Sequence, residues 1–152
     1  TCRVNFNKLN KNPPVAQSNS RTPRLQGVEY TPVVVVATAT DVSVNSIPPL
    51  AKSVKVTGVV TNADDYVYLP PLNSCPDGHE IVLLCSAGAN FELRTPAASG
   101  EKINAEDCDG TKEYLCTDTE VVKIVKINNT IGWMAHGYSA IGAVVAAVVP
   151  DA

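Results

Sequence analysis

The 152-residue chain is short of charge, of aromatic rings and of long unbranched apolar side chains. Charged residues make up 18% of it, against about 25% in an average soluble domain. That deficit fits a subunit that buries faces against neighbours, and equally a core packed with valine. Aromatic residues are only 5%, with a single Trp and a single Met. A sugar-cleaving groove generally offers aromatic platforms, so the shortage argues against one. No run of eighteen or more apolar residues occurs, which excludes a membrane-spanning helix. The apolar stretch 141–149 is too short. The N-terminal residues show no signal-peptide pattern.

The signatures of enzymes are missing as well. The sequence contains no GxGxxG, no GxxxxGK[ST], no GxSxG and no HExxH, which leaves nucleotide binding and hydrolysis without a motif. No CxxC occurs, and His79 and His136 are not at zinc-ligand spacing, so neither a metal nor a cofactor is expected. Asp107-Cys108-Asp109-Gly110 opens like a calcium loop but lacks its later Glu, and reads as a β-turn. Asp64-Asp65 reads as a solvated loop and Asn128-Asn129-Thr130 as a tight turn rather than a glycosylation acceptor. The five cysteines are expected to be free thiols of a reducing cytoplasm. Cys108 with Cys116 is the one pairing that hairpin spacing suggests. The chain is read as non-enzymatic.

What is abundant is valine and threonine, which lose side-chain freedom in helices and pack well on a pleated sheet. Eleven Pro and nine Gly cut the chain into short segments. Strands are expected at 31–40, 41–45, 53–60, 66–69, 80–85, 91–94, 113–116, 119–128 and 130–136, with a further one in 138–149. In 119–128, Val121, Lys123, Val125 and Ile127 share one face, and Val122, Ile124 and Lys126 the other. The expected fold is all-β: a jelly roll, sandwich or small barrel of short antiparallel strands, without a solenoid-type repeat. Leu69 and Trp133 are expected in the core, with Trp133 plugging one end.

Charge divides the chain. Residues 1–28 hold Arg3, Lys8, Lys11, Arg21 and Arg24 and no acid, for +5; residues 29–152 hold seven basic and fifteen acidic residues, for −8. The N-terminal segment is also rich in Asn, Ser and Pro, and Pro13-Pro14 and Pro23 favour extended conformations. It carries too few apolar residues to offset its own ordering entropy. The segment 1–28 is therefore read as an extended arm on a β-domain at 29–152. Its candidate binding residues are Arg3, Val4, Phe6, Lys8, Leu9, Arg21 and Arg24. Five charges over such a length are too dilute for a nucleic-acid site and suit an acidic protein surface.

The stretch from Leu69 to Trp133 carries a resemblance. It comprises Leu69-Pro70-Pro71, the turn Pro76-Asp77-Gly78-His79, the strand Ile81 to Cys85 and the turn Ala87 to Asn90. Thr95-Pro96-Ala97, Lys102-Ile103-Asn104, the strand Val121 to Ile127 and Gly132-Trp133 complete it. This order resembles the β-domains of head-decoration (cement) proteins and of head or tail fibres in tailed phages, cyanophages included. The resemblance covers less than half of the chain and is a pattern of turns and strands without a catalytic signature. It implies a homotrimeric virion protein on the outer capsid surface, assembled in the host cytoplasm, with the major capsid protein as partner. The five cysteines and the long Asn/Pro-rich arm depart from the pattern and leave cement and fibre roles both open.

Overall fold

The computed structural model describes residues 31–58, 64–109, 112–145 and 148–150. The arm residues Arg3, Val4, Phe6, Lys8, Leu9, Arg21 and Arg24 lie outside the described residues. Residues 31–152 form one unit, and it is all-β. Its strands are β1 (Val33–Val36), β2 (Ser53–Thr57), β3 (Tyr66–Tyr68), β4 (Glu80–Cys85), β5 (Phe91–Arg94) and β6 (Lys102–Ile103). They continue with β7 (Glu106–Asp107), β8 (Lys112–Cys116), β9 (Val121–Asn128), β10 (Gly132–Tyr138), β11 (Val144–Val145) and β12 (Val148–Pro150). One 3-10 turn, Leu72–Ser74, joins β3 to β4.

The strands form two sheets. One is ordered β1-β2-β4-β9-β10-β6-β7, with β11 also on β10; the other is β12-β8-β5-β3. Alternation decides what each strand buries. Val54 and Val56 of β2, Ile81 and Leu83 of β4, Val122 and Ile124 of β9 and Trp133 of β10 point inward from the first sheet. Val67, Phe91, Leu93, Tyr114 and Cys116 do so from the second. All belong to one continuous buried cluster, so the sheets pack face to face as a sandwich.

The pairing differs from a purely antiparallel sandwich. Among the described residues six ladders are antiparallel, while β1–β2, β2–β4, β3–β5 and β6–β10 are parallel. For the first three the reason is the path of the chain. It leaves β2 for β3 in the other sheet, returns to β4, and crosses again to β5. A strand reached after one full winding runs parallel to its predecessor. Val33 faces Val54 and Val54 faces Leu83, so successive windings take 21 and 29 residues. A parallel bridge from Ser46 to Tyr68 continues the first winding on the second sheet. The body thus begins as a short solenoid, although its sequence shows no repeat.

Two local expectations fail for identifiable reasons. Residues 41–45 alternate like a strand but form turns, and Val42 and Val44 are exposed. Asp41 Oδ1 accepts hydrogen bonds from the Ser43 N–H at 2.9 Å and the Ser43 hydroxyl at 2.6 Å. That Asx turn competes with extended backbone. Conversely, the β6–β7 hairpin has no glycine signal, because its turn is made by Asn104 and Ala105 at φ of 52° and 69°. Both residues take the left-handed conformation that Asn-Gly ordinarily supplies.

Candidate interaction surface

β6 is held against β10 by the residues that carried the resemblance. Ile103 faces Trp133 in register, and the Asn104 N–H donates to the Trp133 carbonyl at 2.9 Å. The Asn104 side chain then acts as a further length of strand. Its Nδ2 donates to the Ala135 carbonyl at 2.8 Å, and its Oδ1 accepts from the Ala135 N–H at 2.8 Å. Gly132 allows the approach, since a Cβ there would lie 2.4 Å from the Lys102 carbonyl oxygen. Leu69 and Trp133 are both buried, as expected, and the Trp133 indole nitrogen has no hydrogen-bond partner among the described residues.

Of the titratable residues singled out in the sequence, His79 and Asp65 have hydrogen-bond partners. His79 is buried, with Nε2 2.8 Å from the Ala51 carbonyl oxygen. Lys126 lies on the inward face of β9, where its ammonium donates to the Cys75 carbonyl at 2.6 Å and meets Asp77 at 3.1 Å. Together they strap the loop 75–79 across β9, because Gly78 and Lys126 also join backbone to backbone at 2.8 Å. A cleft of about 590 Å³ beside this loop is lined by Lys52, Asp77, His79 and Glu80. Asp65 Oδ1 accepts the Ala39 N–H at 2.9 Å, and Asn128 Oδ1 caps Thr130 and Ile131, the tight turn expected there. Among the described residues no group of three or more His, Cys, Asp or Glu is placed to hold a metal ion, and no helix is long and apolar enough to cross a membrane. Cys75, Cys85, Cys108 and Cys116 are free thiols, so the Cys108–Cys116 pairing is not formed.

Two surfaces stand out. On the outward face of the first sheet, Val34, Lys55, Leu84, Val121 and Tyr138 lie in one cross-strand row. Val34 is 61% exposed, and Val121 and Tyr138 are exposed as well. Four inter-strand spacings make the row about 19 Å long. The next rows add Val82, Lys123 and His136, then Glu80, Val125 and Met134, with Lys123 and Glu80 paired at 3.0 Å. Seven of these eleven positions are apolar or aromatic, with Lys55, Lys123 and Glu80 as the charged members, and such a partly exposed apolar patch can be covered by another surface. Sequence reasoning did not single it out. The available signal was β9, whose outward Val121, Val125 and Ile127 are apolar as its inward Val122 and Ile124 are.

The second surface is a groove of about 440 Å³ lined by Val42, Ile47, Pro48, Pro49, Tyr68, Leu69, Pro70, Pro71, Pro96 and Ala97. Its five prolines have no N–H, so its lining is rigid and poor in donors. Tyr68 packs on Tyr66 with ring centroids 4.9 Å apart, and the Arg94 guanidinium lies 4.7 Å from the Tyr66 centroid. Arg94 also pairs with the buried Glu92. Partial burial, followed by the Tyr66 hydroxyl, raises the Tyr68 phenol above its ordinary value. No protein-family model, no curated protein and no solved structure matches the chain.

Proposed function

We propose that the chain is a virion structural protein: a capsid decoration (cement) protein that binds the outer capsid surface through its N-terminal arm and stabilises the shell. The observation that carries this reading is the row across five strands of the first sheet, apolar or aromatic but for Lys55, which is the kind of face a subunit covers in a homotrimer or against a lattice. The charge separation supports it: a +5 segment at 1–28 against a −8 remainder suits a clip reaching for an acidic neighbour. The β-body supplies a rigid mass, and repeating the arm contact in a trimer raises avidity without new contact types. The partner is the major capsid protein, without nucleic acid, membrane or catalysis.

Co-sedimentation with capsids tests the proposal. Deleting 1–28 is expected to abolish capsid binding while the fluorescence of Trp133 still reports a folded body. Full binding by the truncated chain would refute it. A head or tail fibre that binds host-surface glycans is the second reading, favoured by the loop 95–100, whose Pro96 and Ala97 border the Tyr68 groove. Glycan-specific adsorption by the full chain would select the fibre role.

A further inference from the structure

The hydrogen-bonding groups around the Tyr68 groove select what can fill it. The groove has a volume of about 440 Å³, within the range of ligand sites, and Pro48, Pro49, Pro70, Pro71 and Pro96 line it beside Tyr68. The prolines offer no N–H. The N–H groups of Ile47, Tyr68 and Leu69 are spent inside the fold, on the carbonyls of Tyr68, Asn45 and Arg94 at 2.9 Å each. Carbonyls of the lining are spent as well. Pro48 accepts from the Ala51 N–H at 3.3 Å and Pro96 from the Ser99 N–H at 3.1 Å. Pro71 accepts both the N–H and the hydroxyl of Ser74, at 2.9 and 2.6 Å. The Ser46 hydroxyl donates to the Val42 carbonyl at 3.0 Å, which leaves the Tyr68 hydroxyl as the side-chain donor that faces a ligand.

An ordinary extended peptide brings an N–H at every residue, and each one buried without an acceptor keeps its full desolvation cost. A glycan brings hydroxyls under the same penalty. Proline brings no N–H. Consecutive prolines hold the polyproline II conformation unaided, leave most carbonyls in water and present rings that pack on a tyrosine face. One of their carbonyls can accept from the Tyr68 hydroxyl.

The charges beside the groove are negative. Asp41 is exposed and precedes Val42 of the lining. The Ser43 hydroxyl, then its N–H, hold the Asp41 carboxyl below its ordinary value, so it is ionised at neutral pH. Glu101 accepts the Leu72 N–H at 3.0 Å, next to Pro71, and its other oxygen is buried without a hydrogen-bond partner among the described residues. Neither carboxylate has a cationic partner among the described residues. Arg94, whose guanidinium lies over the Tyr66 ring, is already paired with Glu92. Cationic residues flanking the prolines complement this rim.

We propose that this groove binds a basic, proline-rich segment of a partner protein in the polyproline II conformation. The contact is separate from the capsid contact, because the lining residues lie neither in the arm nor on the outward face of the first sheet.

The test titrates the full chain with a synthetic peptide of four prolines between two arginines, followed by amide shifts in two-dimensional NMR. Saturable shifts are expected at Ile47, Tyr68 and Ala97. The same peptide with glycines in place of the prolines is expected to shift none of them. With glutamates in place of the arginines, binding is expected to weaken by about fivefold. Tyr68→Phe removes the donor and is expected to weaken binding by about fivefold, while the unfolding midpoint read from Trp133 stays in place. Ala97→Arg, at the exposed rim, is expected to block binding by bulk and charge, and it carries the test should Tyr68→Phe fail to fold. The absence of saturable shifts, equal binding by the glycine or the glutamate peptide, or unchanged affinity in a folded variant would each overturn the proposal. A host-surface glycan that shifts the same amides where the peptide does not would overturn it in favour of a sugar site.

Discussion

Replacing Gly132 by alanine is expected to destabilise the body by about 3–5 kcal/mol, through two separable causes. The residue has φ of 89°, where a Cβ costs about 1 kcal/mol. The added Cβ would also lie 2.4 Å from the Lys102 carbonyl oxygen and 3.1 and 3.2 Å from that residue's C and N. These are backbone atoms, so no rotamer change relieves the overlap, and β6 must move off β10. The move loosens the Asn104 N–H bond to Trp133 and both Asn104 side-chain bonds to Ala135, each contributing about 1 kcal/mol. It also opens Ile103, which is fully buried. Gly78→Ala is the control: φ is 80°, and a Cβ there meets nothing within 4 Å. It is expected to cost about 1 kcal/mol. Urea unfolding followed by the fluorescence of Trp133, the one tryptophan, measures both variants. If Gly132→Ala costs no more than Gly78→Ala, the tight β6–β10 seam is not what that glycine serves.

Asn104→Ala is expected to cost about 2 kcal/mol, because both backbone groups of Ala135 lose their partner. Hydrogen exchange at the Ala135 amide should rise with it, and unchanged protection would show that the side chain does not act as a strand. Alkaline pH is expected to weaken the fold. Burial pushes the Cys108 thiol up to about 11 from an ordinary 9.0, and burial likewise raises the phenol of Tyr114. Between those values the unfolded chain has released protons that the folded chain still binds. The stability from Cys108 is thus fully present below pH 9.0 and lost as pH rises through about 11. Denaturant midpoints measured from pH 8 upward should fall in that window, and a flat profile would contradict the burial of these groups.

Local pattern made several elements legible. The strands at 80–85 and 91–94 have the ends expected of them, and β9 buries Val122, Ile124 and Lys126 on one face as its alternation required. Leu69 and Trp133 are core residues, as expected. Such features depend on period-two hydrophobicity and turn residues, which a strand carries within itself. The same logic misread 41–45, where the Asp41 carboxylate bonds Ser43 and a turn replaces the strand. It also passed over β6 and β7, whose Asn-Ala turn lacks glycine and is held instead by Ala135, distant in sequence.

Composition and spacing by themselves determined that this protein is a β-rich body preceded by a basic, proline-broken segment, because propensity and net charge are sums over neighbouring residues. Only the tertiary structure decided that successive strands wind between two sheets and pair in parallel, since windings of 21 and 29 residues leave no repeat to read. Only the tertiary structure brought Lys126 beside Asp77, and Val34, Lys55, Leu84, Val121 and Tyr138 into one row. Each of those contacts joins residues from separate strands or loops, and pairing between strands is fixed by how whole sheets bury their faces together.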